Sequence, residues 1–113
     1  MPLRPSKAVF ISVELRDFLE TLDSNHRFRK WIYADMKNAL LQNMWAGQLI
    51  RKTKIPLYYI EKYGVNNLYR YSHPEGYRSC YTITKTEDGT LCPHILDLKS
   101  HSEYEKIFGY KSD

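Results

Sequence analysis

Phe28, Trp31, Ile32, Met36, Ala39, Leu40 and Met44 recur at helical spacing, so the sequence predicts a helix from about 26 to 45 with one broad apolar stripe. A stripe of that width must be covered, so a second layer has to lie against it. Upstream, Ser12 reads as an N-cap. Glu14 follows in the first turn, and Leu15, Phe18, Leu19 and Leu22 lie at helical spacing. The break "DSN" at 23–25 can cap the following helix, and it is short enough to predict an antiparallel helical hairpin.

The covering layer comes from the second half of the chain. After residue 66 the pattern turns strand-like, as "NNLYRYS", "GYRSCYTIT" and "TLCPHILDL", separated by the turn sequences "HPEG" and "EDG". "KAVFIS" (7–12) supplies a short first strand. Gly47 closes the helical region, and the basic segment "QLIRKTKIP" follows it. "PLYYIEKYG" predicts one or two helical turns between Pro56 and Gly64. Ser100 and Glu103 form a capping box, which predicts a short helix from 101 to about 108. The expected fold is α+β. A small antiparallel sheet packs against an N-terminal helical hairpin, with a short C-terminal helix, in one domain spanning 1–113. At 113 residues one modest core is expected, with helices on one face of the sheet. Pro93 sits inside the last strand, where it cannot donate a ladder bond. Either a bulge occurs there or pairing starts only at His94.

Charge narrows the function classes. The net is +4, but residues 26–85 hold eleven basic and three acidic side chains, while both flanks are net acidic. Seven of the ten tyrosines fall between 58 and 81, interleaved with that basic excess. Such a segment either binds phosphates and stacks on unpaired bases or is a solvated basic surface over core tyrosines. The apolar runs are shorter than a membrane span, and "MPLRPSK" lacks the apolar stretch of a signal peptide. Two cysteines, 80 and 92, suggest neither a disulfide framework nor a zinc site, and no metal or cofactor motif is present. A cytoplasmic location is expected.

The turn "HPEG" raises a question of register. If Tyr71 pairs with Tyr77, Arg70 falls opposite Arg78 and Leu68 opposite Cys80. Tyr69, Tyr71, Tyr77, Tyr81 and Ile83 then share the face that covers the helices, and the arginines share an open face. Opposed like charges cost a few tenths of a kcal/mol up to roughly 1. A bound phosphate would offset that cost, and arginine's planar fork suits one. A register slipped by one residue, or pairing of an arginine with Glu75 or Asp97, is the alternative.

With these residues in view, the chain resembles the RelE/ParE toxin superfamily. The helical hairpin, the strand with a basic residue, "GYRSCY" and the terminal "SHSEYEKIFGY" carry the likeness, with "G-Y-R-x-x-Y" at 76–81 the strongest part. The resemblance implies a cytoplasmic antitoxin partner. RelE-type members cut messenger RNA in the ribosome without a metal ion, whereas ParE-type members poison DNA gyrase. Arg78 matches the phosphate-contacting arginine, Arg70 the basic residue of the preceding strand, and Tyr104 the C-terminal tyrosine. His101 lies near a position that is usually basic. The implied activity is that of an mRNA endonuclease acting on ribosome-bound message. The rivals are a ParE-like gyrase inhibitor and an inactive antitoxin-binding homologue.

Metal-free cleavage needs a base for the 2′-OH, cations for the charged phosphorane and an acid for the leaving oxygen. Arg70 and Arg78 suit the second role, and His101 is the best acid or base because histidine titrates near neutrality. In the first turn of a helix its charged form is disfavoured and a nearby anion favoured. Tyr104, three residues on and on the same helical face, either stacks on a base or acts in proton transfer, or else anchors the helix against Phe108. Arg51, Lys52 and Lys54 form an electrostatic rim for RNA or an ordinary solvated segment. His73, in the hairpin loop, is a further candidate for reaching a substrate, whereas His26 and His94 read as structural or exposed.

Overall fold

The structure is a computed structural model, and it describes residues 3–109. It has an α+β fold built on one five-stranded sheet. In chain order the strands are β1 (Phe10–Ile11), β2 (Gln48–Ile50), β3 (Leu68–Ser72), β4 (Arg78–Lys85) and β5 (Leu91–Ile95). Across the sheet they run β1-β5-β4-β3-β2. The sheet is mixed, because β1 pairs in parallel with β5 while the other pairings are antiparallel. The expected all-antiparallel sheet is corrected at that edge. A second correction is β2, whose three residues lie in what reads from sequence as a basic connector.

Helix α1 (Val13–Glu20) starts where Ser12 Oγ accepts from the Leu15 amide and donates to the Leu96 carbonyl. The second helical run begins as α2 (Arg27–Arg29), passes through a π-helical stretch Lys30–Met36, and ends as α3 (Lys37–Gln42). Its cap is His26, whose Nδ1 accepts from the Phe28 amide, and not the expected "DSN". In the π stretch Trp31 and Met36, five residues apart, are both buried, as the longer i→i+5 turn allows. Leu15, Leu19, Ile32, Met36 and Leu40 close over Tyr81 and Ile95, with Tyr69, Tyr71 and Ile83 packed against them. The expected aromatic face of the sheet therefore does cover the first helices.

The other face is not open. Helix α4 (Leu57–Tyr63) and helix α5 (His101–Phe108) cover it, and a second core forms from Ile55, Tyr59, Val65, Leu68, Cys80, Leu96 and Tyr104. The chain thus builds two small cores, one on each side of the sheet, where one was expected. "PLYYIEKYG" makes this possible. Pro56 caps α4, Gly64 ends it in the left-handed region at φ 66°, and the helix buries Tyr59 completely.

Pro93 causes no bulge. Thr86 N donates to Thr90 O and Leu96 N to Cys80 O, so the hydrogen-bonded pairs of β4 and β5 fall on the parity of Thr84–Cys92. Ile83–Pro93 lies between them, at a position that exchanges no ladder bonds. On its other side, pairing with β1 begins only at Phe10–His94. The bulge comes later, at Asp97. Leu96 faces Cys80, but Arg78 faces Lys99, leaving one extra residue between. The Asp97 carboxylate fills the gap by accepting from the Cys80 amide at 2.9 Å and the Tyr59 hydroxyl at 2.7 Å. Burial raises the pKa of that carboxyl and pushes the Tyr59 hydroxyl up as well.

Candidate functional site

The β3–β4 register is shifted by two residues from the expected one. Arg70 pairs with Cys80 and Ser72 with Arg78, and His73 N donates to Tyr77 O across the tight loop. The strands run further because His73 is buried. Its Nε2 lies 2.8 Å from Ser79 Oγ, and its ring stacks on Trp31 at 5.7 Å. Desolvation lowers its pKa to about 4, partly countered by Asp35, so His73 is a neutral structural ring and does not reach a substrate. An even shift keeps every side chain on its expected face. The two arginines remain on one face, as diagonal neighbours rather than directly opposed charges, which removes most of the repulsion.

Arg78 is fixed by its backbone, which exchanges two 2.8 Å hydrogen bonds with Lys99. Two residues beyond Lys99, α5 begins with Ser100 as cap and Glu103 completing the capping box. His101 is therefore carried to Arg78, and Arg78 Nη1 lies 2.9 Å from His101 Nδ1. Gly76 shapes the other wall. It sits at φ 77°, and a Cβ there would lie 3.3 Å from His101 Cβ. Arg78 also donates to the Gly76 carbonyl at 3.3 Å, while its Nε is buried without a hydrogen-bond partner among the described residues.

Tyr104, one turn into α5, joins the two arginines. The guanidinium carbons of Arg78 and Arg70 lie 5.0 and 5.8 Å from its ring centroid, and Arg70 Nη1 donates to its hydroxyl at 3.3 Å. The ring is only 2% exposed and stacks on Phe108 at 4.2 Å. As placed here it packs into the second core and presents no open face to a base. Arg70 also donates to Gln48 Oε1 from β2, beside a groove of about 400 Å³ lined by Ala46, Gly47, Gln48, Arg70, Tyr71 and Ser72.

Four expected residues, Arg70, Arg78, His101 and Tyr104, thus meet in one cluster. Among the described residues no carboxylate lies within ion-pairing distance of either arginine. The alternative partners are engaged elsewhere, Glu75 with Arg27 at 3.0 Å and Asp97 with Tyr59 and Cys80. Two uncompensated guanidiniums on one face are suited to an anion. Arg51, Lys52 and Lys54 are not in the cluster. They are exposed on the segment between Gln48, which holds Arg70, and Ile55, which packs in the core with Tyr104.

One participant was missed from sequence. Glu105 lies one turn after His101, and its Oε1 sits 2.5 Å from His101 Nε2. The i,i+4 spacing was the available signal, but surface pairs at that spacing are common and individually weak. Among the described residues no three His, Cys, Asp or Glu side chains are grouped to hold a metal ion, and no helix is long and apolar enough to cross a membrane.

No family model, curated protein or solved structure matches the chain. What it does is then a question for its geometry.

Proposed function

We propose that this chain is a cytoplasmic RelE-like toxin, an endoribonuclease that cuts ribosome-bound messenger RNA and is restrained by an antitoxin protein. The observation that carries the reading is the convergence of Arg70, Arg78 and His101 around Tyr104, with no carboxylate among the described residues paired to either arginine. In this reading the two guanidiniums hold the scissile phosphate and stabilise the extra negative charge of the phosphorane. His101 exchanges the proton of the 2′-OH or of the leaving oxygen. Tyr104 keeps the arginines apart and aimed. Arg51, Lys52 and Lys54 extend the positive surface along the RNA backbone.

A second reading has one observation in its favour. Tyr104 is buried, so it offers no stacking face, and a ParE-like gyrase inhibitor would need none. Induced expression separates the two. The wild-type chain should halt growth and create new message ends in primer extension, and Arg78→Ala and His101→Ala should each abolish those ends. Growth arrest without new ends would exclude the nuclease. Unchanged cutting by both variants would exclude this site.

A further inference from the structure

The contacts of His101 determine more than its position. A guanidinium N–H can only donate, so the Nδ1 that faces Arg78 Nη1 at 2.9 Å must present a lone pair. The single proton of the neutral ring then lies on Nε2, which points at Glu105. The two sides of the ring are unlike. The Glu105 side chain is 17% exposed and that of His101 55%, so the carboxylate is sheltered behind an imidazole that is itself open to solvent.

We infer that Glu105 is a positioning residue that holds His101 in the Nε2–H tautomer once an anion has drawn Arg78 off Nδ1, leaving Nδ1 as a base gated by whatever binds Arg78. This inference rests on the nuclease reading for its chemical use, but its geometry does not. Glu105 accepts the Nε2 proton. An anion that engages Arg78 draws the guanidinium off Nδ1, so the lone pair becomes free when a phosphate is in place. The groups around the ring are consistent with this. Arg78 from β4 and Glu105 from α5 touch it, Arg70 from β3 is reached through Tyr104, and Lys99 is bonded by its backbone to Arg78. Glu103 is turned to the Ser100 amide, and the loop side presents Gly76.

In the step so enabled, Nδ1 takes the 2′-OH proton as the 2′-oxygen bonds to phosphorus and the bond from phosphorus to the 5′-oxygen breaks. The departing 5′-oxygen takes a proton from solvent, and the imidazolium returns its own to solvent. The products are a 2′,3′-cyclic phosphate and a 5′-hydroxyl.

Nitrogen-15 NMR of the full chain tests the inference without any RNA. Wild type should show His101 as the Nε2–H tautomer. With Arg78 replaced by alanine, Glu105 alone should keep that tautomer, as should Glu105→Gln in the same background, whose amide oxygen can still accept, while Arg78→Ala combined with Glu105→Ala should give a mixture of both. In a cutting assay Glu105→Ala should lose between about 10- and 100-fold in rate, part of the 10²–10⁴ that general-base catalysis supplies. An Nδ1–H tautomer in wild type, or an unchanged tautomer in the Arg78→Ala, Glu105→Ala double variant, would overturn the inference whatever the activity. The expected tautomers in a wild-type protein that cuts no RNA would uphold the positioning role and sink the nuclease reading instead.

Discussion

Replacing Tyr81 by phenylalanine should loosen the site from behind. Tyr81 is fully buried in the first core, and its hydroxyl donates to the Met44 carbonyl at 2.8 Å while accepting from the Gly47 amide at 2.9 Å. Phenylalanine keeps the ring and its stack on Tyr69 at 5.1 Å, so little apolar burial is lost. What goes is two hydrogen bonds worth about 1 kcal/mol each, and the orphaned Met44 carbonyl adds a penalty of up to about 1 kcal/mol beyond that. A loss of roughly 2–3 kcal/mol is expected, a large share of the 5–15 kcal/mol typical of a domain. Urea denaturation should show a lower midpoint at unchanged slope, and Tm should fall by roughly 10 °C. Gly47 leads into β2, whose Gln48 holds Arg70, so RNA affinity should fall as well. Tyr69→Phe is the control and should cost under about 0.5 kcal/mol. A Tyr81→Phe loss as small as the control's would show that the hydroxyl does not fasten β2 to the core.

Three other perturbations probe separate parts of the account. His73 is held at about 4 against an ordinary 6.5, so the unfolded chain binds the extra proton. Its contribution to stability is complete above pH 6.5 and is lost as pH falls towards 4, by roughly 3 kcal/mol in all. Denaturation across that window should show the slope, and His73→Gln should flatten it. Gly76→Ala forces a Cβ into the left-handed region against His101, and should cost about 1 kcal/mol together with a measurable fall in cutting rate. Arg70→Ala and Arg78→Ala should each weaken binding to single-stranded RNA and reduce the salt slope of log K by about 0.7.

The sequence made some of this plain and left some of it hidden, for identifiable reasons. The capping box at Ser100 and the α5 span His101–Phe108 were legible because they are local, and they brought His101 and Tyr104 onto the right element. The shared face of Arg70 and Arg78 was legible from alternation alone, since a two-residue error of register leaves faces unchanged. The register itself was not, because it depends on His73 finding Trp31 and Ser79 in the folded chain. β2 and the parallel pairing of β1 were hidden because strands of three and two residues carry no readable period. The second core was missed because Tyr59, Leu68, Cys80 and Tyr104 come from four separate elements. Glu105 was hidden among ordinary surface charges, and only the side-chain geometry of His101 picks it out.

The most direct test of the account is the chemistry of the cut. Purified protein would be added to ribosomes halted on a defined message in the presence of EDTA, and the new RNA ends identified. Cleavage should leave a 2′,3′-cyclic phosphate and a 5′-hydroxyl and fall at least about 100-fold in Arg78→Ala. An intact message with folded wild-type protein, or equal cutting by Arg78→Ala, would contradict it.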